Sequence, residues 1–181
     1  MTNSPTTTVP DDNSRAVVVA AVVVSLVLGA LTAFGQQHLS DQWRPVANSA
    51  GSWTLIAFAL AWFAHKQVTA IATGAMVLIG LLAGYGFASE LRGFAFSSAM
   101  VVFWLAASVT VGPVIGYGAS LVRGSDDRLA AAGVSLMSGV LLGEGAYGLT
   151  VVADTTEPHW WVTEILTGLV LCHRNTDATP V

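Results

Sequence analysis

The strongest constraint on the fold is an apolar run from Leu129 to Asp154, which is long enough to cross a bilayer. Before the Asp154 that ends it, the run carries one carboxylate, Glu144, between two glycines. An acid inside a membrane costs at least about 2.5 kcal/mol on insertion scales, so it is expected to face the protein interior and to have polar partners. Glu144 is therefore the first candidate for a functional group.

The composition of the whole chain indicates that lipid is its solvent. Of the 181 residues, 54% are hydrophobic and 10% are charged, whereas globular proteins carry about 25% charged residues. We therefore predict an all-α fold, a polytopic bundle of about six transmembrane helices. The predicted spans lie near 16–34, 47–64, 69–88, 94–122, 129–153 and 159–172. Residues 1–15 are expected to be a disordered cytoplasmic tail, and residues 173–181 a second polar tail.

Three of these spans are unusual. The first could instead be a signal peptide, but the apolar part of such a peptide has about 7 to 15 residues and follows a more basic start, so we predict an uncleaved helix. The stretch 94–122 is too long for a straight perpendicular crossing, and 159–172 is short for a full crossing.

The basic residues predict the orientation, because cytoplasmic loops are enriched in Lys and Arg. We predict a protein of the bacterial plasma membrane with both termini in the cytoplasm. In this orientation five of the seven basic residues face the cytoplasm: Arg15, Lys66, Arg123, Arg128 and Arg174. Arg44 and Arg92 then face outward.

A second acid, Glu164, lies about five residues into the last span. Since consecutive spans are antiparallel, Glu144 and Glu164 are both expected on the outer side and could line one outward-facing cavity. The alternatives are that Glu164 only reaches the headgroups beside Trp160 and Trp161, and that Glu144 is a hydrogen-bonded acid that holds helices together. The predicted ligand contacts are Glu144, Glu164, Tyr147, Trp160, Trp53, Asn48 and Tyr85.

Glycines spaced four residues apart occur in three spans, and this spacing favours close helix packing. The pairs are Gly80 with Gly84, Gly112 with Gly116, and Gly139 with Gly143. Pro113 directly after Gly112 predicts a kink, because proline removes a backbone donor. The alternative at this point is a broken helix whose carbonyls face a cavity.

Several function classes have no support in the sequence. There is no HExxH, GxSxG or Walker A motif and no cluster of Cys and His, so we predict no metal, no cofactor and no catalytic residues. An enzyme is disfavoured, although an intramembrane hydrolase using the two glutamates stays open. No run of Lys or Arg exists that could follow a nucleic acid.

A set of dispersed motifs resembles an uncharacterised family of actinobacterial integral membrane proteins and covers most of residues 16–171. The motifs are Asn48-Ser49 with Trp53 and Phe58, Phe103-Trp104 with Gly112-Pro113 and Gly116, and Trp160-Trp161 with Glu164. The chain departs from this pattern at Cys172-His173-Arg174, where the last span stops early.

The architecture is also similar to the S components of energy-coupling-factor importers, which implies a solute pocket on the outer side and a partner-docking face on the first helix. Ser25, Gly29 and Ala33 are spaced for such a face. The first hypothesis is a component that binds or transports a small solute. The second is a membrane scaffold or accessory subunit that acts through a membrane protein partner or as a homo-oligomer.

Overall fold

The computed structural model describes residues 12–94 and 97–177, and this part of the chain is helical without any strand. The helices are α1 (Asp12–His38), α2 (Ala50–Trp62), α3 (Gln67–Leu91), α4 (Ser98–Val122), α5 (Asp127–Thr150) and α6 (Pro158–Asp177). A single 3-10 turn, Arg44–Ala47, precedes α2. The predicted all-α fold is confirmed. Of the predicted tails 1–15 and 173–181, residues 12–15 belong to α1 and residues 173–177 to α6, so these parts are helical, while 1–11 and 178–181 lie outside the described residues.

Four of these helices, α1, α3, α4 and α5, are long and apolar enough to cross a membrane. The second predicted span differs from the structure, because the helix in that region begins only at Ala50 and has 13 residues. At 1.5 Å per residue it measures about 20 Å, which is less than the roughly 30 Å of a hydrocarbon core. The last helix continues beyond residue 172 to Asp177, but it is not among the four described helices that are apolar enough to cross a membrane, so the sixth predicted span also differs from the structure.

Five helices, α1, α3, α4, α5 and α6, pack side by side in a row, and the short helix α2 packs against this row. Successive contacts join α1 to α3, α3 to α4, α4 to α5 and α5 to α6, while α2 contacts α3, α4 and α5. The short helix therefore lies against the middle of the row. Its Ala57 belongs to the buried core together with Val77, Leu81, Ile115 and Met137.

Glycines set the closest approaches between the long helices. A Cβ at Gly84 would collide with the backbone of α1, and a Cβ at Gly116 would collide with the backbone of α3. Gly80 likewise faces Ser25, and Gly112 faces the backbone of α3. These four glycines therefore lie in helix contacts.

The prediction that Gly139 and Gly143 lie in a helix contact is wrong for the described part of the chain. Nothing lies within 4 Å of a Cβ at either position, so this pair faces away from the neighbouring helices. Instead, α5 packs on α6 through Gly145 and Gly148, which lie against Trp161. Both pairs lie on one helix, and only the packing of its neighbours decides which face is covered.

Two other expectations are also corrected. Pro113 lies inside α4, which continues as one helix to Val122, so the half-length helix is α2 and not a broken α4. Ser25 and Ala33 are buried, and Gly29 lies against the backbone of Leu81. That face of α1 is occupied by α3 and is not free to dock a partner.

Candidate functional site at the buried end of α2

The site is built on the first turn of α2, which begins inside the bundle. Ser49 is the N-cap residue, is 1% exposed, and its Oγ accepts a hydrogen bond from the Ser52 amide at 3.0 Å. The first amides of a helix have no partner within the helix, and a buried helix start must satisfy them in another way.

Glu144 of α5 supplies the missing acceptors. The Ala50 amide donates to Glu144 Oε1 at 2.7 Å, and the Gly51 amide donates to Glu144 Oε2. A carboxylate in this position also complements the partial positive charge of a helix N-terminus. The acid of one long helix thus holds the start of the short helix.

Glu164 of α6 reaches the same point from the other side. Its Oε1 lies 2.5 Å from Ser49 Oγ, and Glu144 Oε2 lies 3.2 Å from the same hydroxyl oxygen. Glu144 is six residues before Thr150, the last residue of α5, and Glu164 is six residues after Pro158, the first residue of α6. At 1.5 Å per residue, each acid therefore lies about 9 Å along its helix from that end. The structure therefore brings the two predicted acids together around one serine, in a buried cluster and not along an open cavity.

Gly51 completes this cluster because it has no side chain. A Cβ at this position would meet Glu164 Oε1, and it would lie 2.8 Å from Glu144 Oε2. Glycine is therefore the residue that lets both carboxyl groups approach the first turn of α2.

Two polar atoms at the cluster are buried without a hydrogen-bond partner in the described part of the chain. They are Glu164 Oε2 and Trp160 Nε1. Unpaired buried polar groups are uncommon in native proteins because each one carries a desolvation penalty. One oxygen of Glu164 therefore lacks a hydrogen-bond donor of normal geometry, whereas both oxygens of Glu144 accept from backbone amides.

The opposite end of α2 is held by Arg123, which caps α4. Its guanidinium donates to the Trp62 carbonyl at 2.8 Å, to the His65 carbonyl at 2.6 Å and to the Ala64 carbonyl. A cation there complements the negative end of the helix dipole. The short helix thus has an anion at its first turn and a cation at its last.

The end of the bundle that carries the loops 39–49 and 151–157 is called the loop end. A cleft of about 460 Å³ opens there between these two loops. Its charged lining consists of Asp41, Arg44, Asp154 and Glu157, with Asp41 paired to Arg44 at 2.7 Å. Gln36, Pro45, Asn48, Ala153, Thr155 and Thr156 complete the lining. With three acids and one base, the cleft has a net negative charge.

A much smaller cavity of about 30 Å³ lies beside Ser49. Trp53 and Tyr85 line it and form an edge-to-face pair with ring centroids 5.8 Å apart. Asn48 lines both this cavity and the large cleft. Tyr147, by contrast, is 53% exposed, so of the predicted contacts it is the one that points away from the site.

Comparison with protein families identifies the family of the chain but gives no activity. A model of the family of unknown function DUF6518 matches residues 8–174. The chain belongs to this family. No curated protein and no solved structure matches it.

Sequence reasoning on this DUF6518 member missed three contributors to the site. Ser49 precedes an apolar run, which is an N-cap signal that could have placed the start of α2. Gly51 and Arg123 carry no such local signal, because their roles depend on side chains or carbonyls that are distant in sequence. Among the described residues, no group of three or more His, Cys, Asp or Glu could hold a metal ion.

Proposed function

We propose that this DUF6518 protein is a plasma-membrane component that binds or transports a small solute, with the loop end facing outward and both termini in the cytoplasm. The observation that carries the proposal is the cleft of about 460 Å³ at the loop end. Its volume falls within the roughly 300 to 1,000 Å³ of small-molecule sites. We include in this proposal an actinobacterial source and a likeness to the S components of energy-coupling-factor importers, both of which rest on resemblance.

The charge of the cleft defines the class of solute. Asp154 and Glu157 lie on one loop, and Arg44 on the facing loop is already paired with Asp41. The two acids of the 151–157 loop are therefore offered to a ligand, with Glu157 Oε2 also 3.9 Å from His159 Nδ1. A small organic cation, such as an amine or a quaternary ammonium compound, fits this arrangement.

A thermal-shift screen of small amines and quaternary ammonium compounds on the detergent-purified protein tests the proposal. A ligand at 100 times its Kd stabilises the folded state by about 2.7 kcal/mol. The combined variant Asp154→Asn with Glu157→Gln is expected to lose this stabilisation, while Glu90→Gln, an exposed acid outside the cleft, is expected to keep it. The proposal fails if no compound stabilises the wild type, or if the combined variant responds equally.

One observation favours a second candidate, the membrane scaffold or accessory subunit. Gly139 and Gly143 leave a strip of α5 open to the outside, where another membrane helix could approach closely. Loss of an oligomer or a co-purifying partner in Gly139→Leu supports this function, with Gly86→Leu as the control because Gly86 is also open. Retention of the complex in Gly139→Leu argues against it.

A further inference from the structure

The two carboxyl groups at the start of α2 differ in what their surroundings offer them. Both oxygens of Glu144 accept hydrogen bonds from backbone amides, at Ala50 and at Gly51. Backbone N–H groups donate only, so this environment suits a carboxylate that accepts only. The positive end of the α2 dipole acts in the same direction. Glu144 is therefore the ionised member of the pair.

Glu164 has the opposite surroundings. Its side chain is 1% exposed, and its Oε2 makes no hydrogen bond of normal geometry among the described residues. The Trp160 indole is the side-chain N–H that acts on this carboxyl group, and the charged side chain that acts on it is Glu144. α2 carries no titratable side chain that could compensate a second negative charge. Two carboxylates that share one site do not both ionise readily. The proton of the pair therefore belongs on Glu164.

A single proton on Glu164 allows every hydrogen bond of Ser49 Oγ to have one donor and one acceptor. We propose that Glu164 carries one proton on Oε1 and donates it to Ser49 Oγ, whose own hydrogen is donated to Glu144 Oε2, so that the pair and Ser49 form a buried proton-binding site. Ser49 Oγ then accepts from Glu164 and from the Ser52 amide, which uses both of its lone pairs. The distances of 2.5 Å and 3.2 Å place the shorter contact on the Glu164 side.

Asn48 separates the cluster from the cleft at the loop end. Ser49 and Asn48 both line the small cavity of about 30 Å³, which is large enough to hold a water molecule, and Asn48 also lines the large cleft. Asn48 is therefore the residue past which we expect protons to exchange with the cleft. This inference goes beyond solute binding and stands without it, because it rests on contacts of Ser49 and not on the cleft's occupant.

Infrared spectroscopy in an ester-free detergent at neutral pH tests the assignment. The wild type is expected to show the C=O band of a buried protonated carboxyl group, which is absent in Glu164→Gln and retained in Glu144→Gln. Glu90→Gln is the control, because Glu90 is exposed and lies outside both the cleft and the cluster, so this variant is expected to leave the band unchanged. Absence of the band in the wild type, or its loss in Glu144→Gln together with its retention in Glu164→Gln, would overturn the proposal.

Melting temperatures give a second readout that does not depend on band assignment. In Glu164→Gln the amide NH2 can replace the donated O–H, so Tm is expected to change by no more than about 2 °C. Glu144→Gln directs an NH2 group toward a backbone N–H, so Tm is expected to fall by more than about 5 °C. If Glu144→Gln does not fold, retention of the band in Glu164→Gln would place the proton on Glu144 and overturn the proposal.

A bound monovalent metal ion is the competing way to neutralise the pair. In the Asp154→Asn, Glu157→Gln variant, whose cleft lacks the two acids that could bind choline, replacing Na⁺ by choline at constant ionic strength is expected to leave Tm unchanged. A Tm that depends on Na⁺, in a protein without the protonated carboxyl band, would assign the site to a metal cation and overturn the proposal.

Discussion

Glu144 and Arg123 hold opposite ends of α2, although they lie on α5 and at the end of α4. The carboxylate accepts from the first amides of the short helix, and the guanidinium donates to carbonyls at and beyond its last turn. Because both charges complement the helix dipole, a helix too short to cross the bilayer can begin inside the bundle and end beside the last turn of α4.

Arg123→Gln is expected to lower the free energy of unfolding by about 1 to 3 kcal/mol, since hydrogen bonds to charged groups contribute more than neutral ones. The measurement is a denaturation titration in mixed micelles. Arg128→Gln is the matched control, because this arginine is exposed and lies on the same side of the bundle in the predicted topology. Equal effects of the two substitutions would contradict the capping role of Arg123.

Gly51→Ala is expected to destabilise the protein by more than about 2 kcal/mol, because the added Cβ would displace both carboxyl groups. Gly86→Ala provides the comparison, since nothing lies within 4 Å of a Cβ there and alanine favours a helix over glycine by roughly 0.5 to 1 kcal/mol. Thermal melts of both variants check the difference. A tolerated Gly51→Ala would show that the carboxyl groups do not approach α2 so closely.

Ser49→Ala is expected to cost more than the roughly 1 kcal/mol of an ordinary N-cap, because Ser49 also contacts Glu144 and Glu164. Ser97→Ala removes the exposed N-cap of α4, whose oxygen accepts from the Met100 amide at 3.3 Å, and serves as the reference. The difference between the two losses of unfolding free energy is the quantity to measure. Losses of equal size would reduce Ser49 to a simple cap.

Gly116→Ala is expected to loosen the contact between α4 and α3, because a Cβ there would meet the backbone of Ala70. Gly139→Ala is expected to be neutral or slightly stabilising in the monomer, since that position is open. Comparison of their melting temperatures checks which glycines lie in contacts. A larger loss at Gly139 than at Gly116 would mean that the helices pack through the other face of α5.

The sequence predicted the helical class and polar partners for Glu144 within the bundle, because apolar length and a lone acid are local signals. It did not predict that α2 begins at Ala50, since an apolar segment continues to look like a span even where its first turn is capped by a distant carboxylate. Nor could spacing decide between Gly139 and Gly145 as packing residues. That choice depends on Trp161 of α6, which covers one face of α5 and leaves the other open.

The convergence of Glu144 and Glu164 on Ser49 is tested most directly by a double-mutant cycle of Glu144→Ala and Glu164→Ala, measured by denaturation in mixed micelles. Removing Glu144 releases the turn that carries Ser49, so the loss of Glu164 should then cost less. We predict that the double variant is less destabilised than the sum of the single variants by more than about 1 kcal/mol. Additivity within about 0.5 kcal/mol would place the two carboxyl groups in separate environments and contradict the account.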